Sequence, residues 1–113
     1  MNDFETLTRI NEEINTAEDA GVASELDKAL GSFAFRRASG AVVDRGAYLA
    51  SAAKSGPREL TIRSISLLGR DRALVTCVIS MPVNGVQASF DNVRLFVRDH
   101  DEWKLLGWAN ERI

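Results

Sequence analysis

Ala73-Leu74-Val75-Thr76-Cys77-Val78-Ile79-Ser80-Met81, running on through Pro82-Val83-Asn84-Gly85-Val86, is the stretch that decides the fold of this 113-residue chain. Side chains of a strand alternate between two faces. Ala73, Val75, Cys77, Ile79 and Met81 form a wholly apolar parity, opposite the mixed parity of Leu74, Thr76, Val78 and Ser80. The first set should face a layer of helices. Asn-Gly tolerates the positive φ angles of a two-residue hairpin turn, so the strand is expected to return antiparallel from Val86 to Arg98. The polar run Asp99-His100-Asp101-Glu102 predicts a second hairpin, returning along Trp103 to Glu111. Upstream, Leu60 and Ile62 share one parity and Ile65 and Leu67 the other, which predicts a bulge near Arg63-Ser64.

The N-terminal half has a different period. Phe4, Leu7, Ile10, Ile14 and Ala17 recur at three- and four-residue steps, predicting an amphipathic helix over 3–20, with Asn2 and Glu5 as a capping box and Gly21 as its stop. A second helix is expected over 22–30, and a third over 45–54, capped by Asp44 and ended by Gly56-Pro57. Between them, Phe33, Phe35 and Arg37 alternate with Ala34 and Arg36, and Ser39-Gly40 turns the chain into Val42-Val43 as a small hairpin. The reading is one α+β domain over 1–113, its three N-terminal helices packed in a strongly curved antiparallel sheet.

This order resembles the nuclear transport factor 2-like superfamily, the cystatin-like cone shared with ketosteroid isomerases and SnoaL-like cyclases. Phe35-Arg36-Arg37-Ala38-Ser39-Gly40-Ala41-Val42-Val43-Asp44 with Tyr48-Leu49 looks like the family's short hairpin and third helix, and Asp91 to Glu111 like its last two strands. The resemblance covers nearly the whole chain and implies a pocket at the open end of the cone and pairing of two copies through the outer sheet face. It raises the fold rather than the function.

Composition narrows the function classes. Fourteen Lys and Arg against 16 Asp and Glu leave a net charge of -2 without a long single-sign run, which predicts neither nucleic-acid nor anionic-membrane binding. No metal or cofactor is expected, since the chain has one histidine, one cysteine, no zinc-type spacing and no phosphate-binding glycine loop. Cys77 reads as a buried small hydrophobe and His100 as a surface residue of a charged turn. With no signal-peptide pattern at its start, the chain is expected in the cytoplasm.

The ketosteroid isomerase pattern of an Asp base with a Tyr and a protonated Asp, a worked case of pKa tuning, is poorly met. The only tyrosine, Tyr48, falls on the third helix, Arg37 falls where the resemblance would place the base, and Ala109 where many relatives carry a pocket histidine. Asp91 resembles the family's oxyanion-hole acid and shares parity with Val93, Leu95 and Val97. If that face is interior, Asp91 needs a partner, and Arg37 is the candidate; the alternative is that Asp91 lies in water near a strand end. The expected site is therefore Asp91 and Arg37 as catalytic groups, lined by Phe33, Phe35, Tyr48, Val93, Leu105, Ala109 and Glu111.

Two functions follow. One is a pocket protein holding a small, largely apolar molecule with one anionic or hydrogen-bonding end; the other is an isomerase or dehydratase using Asp91 with Arg37. Leu74, Val78, Phe96, Leu106 and Trp108 fall opposite the presumed core, and so many large apolar groups on one face predict a homodimer through it.

Overall fold

The computed structural model describes residues 2–113. The elements in chain order are α1 (Asp3–Ala20), α2 (Ala23–Ala29), β1 (Leu30–Arg36), β2 (Val42–Asp44), α3 (Arg45–Ala50), β3 (Glu59–Leu67), β4 (Arg72–Val83), β5 (Val86–Asp99) and β6 (Glu102–Arg112). The helices lie against one face of a six-stranded sheet of order β2-β1-β6-β5-β4-β3.

Local chemistry sets the boundaries. The Asn2 side chain accepts from the Glu5 amide at 2.9 Å, and Gly21 ends α1 in the left-handed region at φ 72°. Asp44 caps α3 by accepting from the Ala47 amide at 2.8 Å. That helix stops at Ala50, short of the expected Lys54, because the Ser51 hydroxyl donates to the Tyr48 carbonyl and competes with the next turn. The second helix likewise stops at Ala29, and Leu30 opens β1 instead.

Four of the five strand pairings are antiparallel, and the β3–β4 ladder shifts register between Ile62 and Ser64, where the parity of β3 predicts a bulge. One pairing departs from a wholly antiparallel sheet: β1 runs parallel to β6. A parallel neighbour requires a long connection, and the α3–β3–β4–β5 excursion between β1 and β6 provides one.

Both long hairpins close on two-residue turns with positive φ, Asn84-Gly85 and His100-Asp101. Across the first, Val75 lies opposite Arg94 and Cys77 opposite Asn92. Across the second, Arg98 lies opposite Trp103 and Phe96 opposite Leu105, but Leu95 then lies opposite Gly107. Leu106 is the extra residue of a β-bulge, and beyond it the inward parity of β6 passes to Trp108 and Asn110.

The inner face of β4 is formed by Ala73, Val75, Cys77 and Ile79, as its alternation predicts, and it packs with Leu7, Ile14, Leu26, Phe96 and Leu105 in the core. The buried stripe of α1 reads Leu7, Asn11, Ile14, Ala17, so a polar residue occupies a place the apolar spacing would give to Ile10. Two residues expected on the outer face are inside instead: Phe96 is 0% and Trp108 4% exposed. Leu74, Val78 and Leu106 are half-buried on the outer face.

Candidate functional site

Between α1, α3 and the open end of the sheet lies a cavity of about 240 Å³, lined by Glu18, Gly21, Leu26, Phe35, Arg37, Tyr48, Ser51, Ala52, Ala53, Arg58, Met81 and Asn110. Phe35 and Tyr48 belong to a four-ring cluster with Phe33 and Trp108. Tyr48 meets Phe35 edge-on at 5.6 Å between centroids, and Phe35 lies 4.9 Å from Trp108. Parity in β1 supplies Phe33 and Phe35, α3 supplies Tyr48, and the bulge in β6 supplies Trp108.

The polar wall comes from α1 and the segment before β3. Glu18 lies one turn beyond Ile14 on the inward side of α1; its Oε2 accepts from the Tyr48 hydroxyl at 2.9 Å, and its Oε1 stands 3.5 Å from Arg58 Nη2. Both side chains of this ion pair are about nine-tenths buried. Glu18 Oε1 and Arg58 Nε are shielded from solvent and have no hydrogen-bond partner within the protein. Burial, reinforced by the adjacent Glu18 charge, pushes the Tyr48 phenol far above its ordinary value of 10.0, so Tyr48 stays protonated and acts as a donor.

Behind this wall is a buried polar chain. The Arg94 side chain is wholly buried, with its guanidinium 4.1 Å from the Trp108 ring centroid; it donates to Asn11 Oδ1 at 2.9 Å and to Asn92 Oδ1 at 3.2 Å. Trp108 Nε1 donates to Asn92 Oδ1 at 2.6 Å and to Asn110 Oδ1 at 2.5 Å, which links the chain to the cavity rim. No carboxylate lies within ion-pair distance of Arg94 among the described residues. Burial pulls its guanidinium below the ordinary arginine value, with the nearby Cys77 and Glu18 opposing.

Against the residues expected from sequence, Phe35, Arg37 and Tyr48 line the cavity, with Phe33 behind them in the ring cluster. The pairing of Arg37 with Asp91 does not form. Arg37 Nη2 donates to Ser51 Oγ at 2.9 Å and lies over the Phe35 ring, while Asp91 faces away from the helices, half-buried, 4.0 Å from Arg63. The hairpin register makes Asn92 and Arg94 inward, so Asp91 and Val93 must point out, and Val93 is 46% exposed. Ala109 and Glu111 lie opposite Val93 and Asp91 on that same outer face. Leu105 is core, opposite Phe96 and beyond the cavity. An acid and base role for Asp91 in the cavity is thereby removed, and with it the isomerase or dehydratase reading built on Asp91 and Arg37.

Glu18, Arg58, Arg94, Asn92, Asn110 and Asn11 are the groups that sequence reasoning missed. A polar residue inside an apolar helical stripe, as at Asn11, was one available signal. No group of three or more His, Cys, Asp or Glu side chains able to hold a metal occurs among the described residues, and no helix among them is long and apolar enough to cross a membrane.

Solved structures share this architecture. An NTF2-like protein from Cytophaga hutchinsonii superposes with a TM-score of 0.86 at 17% identity, over all of both chains. A domain of unknown function with a cystatin-like fold from Nostoc punctiforme gives 0.83 at 14% identity, covering 98% of this chain and 77% of that one. A proposed dehydratase of the NTF2-like family from Streptomyces avermitilis gives 0.80 at 21% identity, over 98% and 96% of the two chains. No protein-family model and no curated protein matches the sequence. The chain therefore has the NTF2-like, cystatin-like fold; at these identities the likeness carries the fold and not an activity.

Proposed function

We propose that this protein binds a small, largely apolar molecule with one polar end in the cavity at the mouth of the cone. The observation that carries the reading is the ion pair of Glu18 and Arg58. Two charged side chains about nine-tenths buried line a half-open cavity, and charged groups held so far from water are costly unless polar partners complete their surroundings. A ligand group with hydrogen-bonding capacity would do so, while its body would rest on Phe35, Leu26 and Met81. At about 240 Å³ the space is below the usual range for drug-sized ligands, roughly 300–1,000 Å³, so the occupant is compact.

The test is a fragment titration of the full chain followed by backbone amide NMR. Binding fragments should shift the amides of Gly21, Ala53, Met81 and Asn110, and Ala53→Trp, which fills the cavity from an exposed wall position, should abolish those shifts. Fragments that bind only elsewhere, or that are indifferent to Ala53→Trp, would refute the pocket.

We further infer that two copies pair through the outer sheet face. Val93 is exposed there, and Leu74, Val78, Leu95 and Leu106 lie half-buried on the same side around Thr76 and Asp91; a sheet face with this much apolar surface is one that a second copy could cover. Trp108 contributes nothing to that face, being inside. Val93→Glu should dissociate the pair in sedimentation; a wild-type monomer at high micromolar concentration defeats the idea.

A further inference from the structure

The protein as a whole is acidic, with a net charge of -2, yet the end of the cone that holds the cavity is cationic. Arg37 and Arg58 line it, and Glu18 is the one carboxylate among the described residues that do. Immediately behind, Arg94 is fully buried with only the neutral amides of Asn11 and Asn92 as acceptors. A guanidinium inside a protein is normally matched by an acid, because its attraction to a counter-charge offsets the loss of water. Here one carboxylate faces three guanidinium groups.

We infer that the cavity takes a small organic monoanion, a carboxylate on a compact apolar body, held between Arg37 and Arg58 in the field of Arg94. This rests on the cavity being a ligand site and adds the charge of its occupant. Arg37 is the available fork: its present partner is the Ser51 hydroxyl, a neutral acceptor that a carboxylate displaces with a stronger, charge-assisted bond. Arg58 brings a nine-tenths buried guanidinium to the cavity wall, its charge only loosely matched by Glu18 at 3.5 Å. The number of negative charges is limited to one by Glu18, which repels a second. The rest of the molecule is apolar because Phe35, Leu26 and Met81 form the wall facing it.

The experiment titrates the full-length chain with acid and amide pairs of one shape: phenylacetate with phenylacetamide, and cyclohexanecarboxylate with its amide, at fixed ionic strength, with inorganic phosphate as a bare-anion control. The acids should bind at the cavity amides roughly tenfold or more tightly than the amides, the worth of one charged hydrogen bond. Arg37→Gln, at a half-buried rim position, should leave the spectrum of the fold unchanged and erase that preference. The inference is overturned if amides bind as well as acids, if Arg37→Gln retains the preference, or if phosphate reproduces the acid shifts. Equal binding of acids and amides, blocked by Ala53→Trp, would remove the anion but leave the pocket. If no probe gives cavity shifts sensitive to Ala53→Trp, both fall.

Discussion

Replacing Asn11 by leucine removes a carboxamide from the middle of the protein, its oxygen an acceptor for Arg94 and its nitrogen a donor to the Leu7 carbonyl at 2.8 Å, and the structure sets what that costs. Asn11 Oδ1 is the acceptor for Arg94 Nη1 at 2.9 Å in a site without solvent, and Arg94 Nε already has no partner. Losing a hydrogen bond to a charged group costs about 1.5–3 kcal/mol, and stranding a buried charge can raise that toward about 5 kcal/mol. Leucine returns part of this through added apolar burial, on the order of 1 kcal/mol. A net loss of about 2–3 kcal/mol is expected, which for a domain of this size lowers the melting temperature by roughly 10 °C. Adding Arg94→Met removes the stranded charge, so the double variant should be more stable than Asn11→Leu alone, an interaction of about 1 kcal/mol or more between the two sites. Urea unfolding of the four proteins measures the cycle. An Asn11→Leu variant within about 0.5 kcal/mol of wild type, or a double variant whose losses simply add, would refute the claim that Arg94 is held as a buried charge by these amides.

Two further outcomes are expected. Asp3 accepts a forked pair of hydrogen bonds from Arg98 and a third from Trp103 Nε1, which hold its carboxyl below the ordinary value of 3.8, Arg98 being the main cause. A carboxyl lowered in the folded state stabilises above its unfolded value and loses that contribution as pH falls through the folded one. Asp3→Asn should therefore be less stable than wild type near neutrality and the gap should close below pH 3.8; urea midpoints that stay equally far apart in acid would contradict this. Asp91→Asn breaks only a 4.0 Å pair with Arg63 in which both side chains reach solvent, so its unfolding free energy should change by less than about 1 kcal/mol, and cavity binding should be unchanged.

Most of the fold could be read along the chain because its signals are local. The Asn2 and Asp44 caps, the Gly21 stop, the Asn84-Gly85 turn and the bulge by Arg63 each depend on a few consecutive residues, and each is found in the structure. The candidate site was only partly legible, since it depends on which face of β5 is interior. Apolar content misleads there: Val93, Leu95 and Val97 look like a core face, while the true inner face carries Asn92, Arg94 and Phe96. A sheet whose outer side is also apolar gives hydrophobicity nothing to choose between. The information was nevertheless present in another form. A two-residue turn at Asn84-Gly85 puts Val83 opposite Val86, which carries Cys77 to Asn92 and Val75 to Arg94, so the correctly read face of β4 already determined that of β5. Glu18 and Arg58 had no such local mark, because they come together through the approach of α1 to the chain preceding β3.

The single extra residue at Leu106 works like a phase shift in a periodic signal. Upstream of it, Trp103 and Leu105 send their side chains toward the helices; downstream, the same direction is taken by Trp108 and Asn110, out of step by one. Delete that residue and the ladder becomes regular with the same pairings, Trp108 and Asn110 still inward; flatten the bulge with Leu106 kept in the alternation and the last strand would carry Ala109 and Glu111 into the cone instead, turning the indole and Asn110 onto the opposite side. The chemistry of the cavity is thus encoded partly by counting and not only by residue type. Substitutions in the last strand are open to gradual trial, whereas a change that irons out the bulge at constant length exchanges lining for exterior in a single step. Length changes in the exposed 68–71 connection between β3 and β4 leave every inward assignment in place.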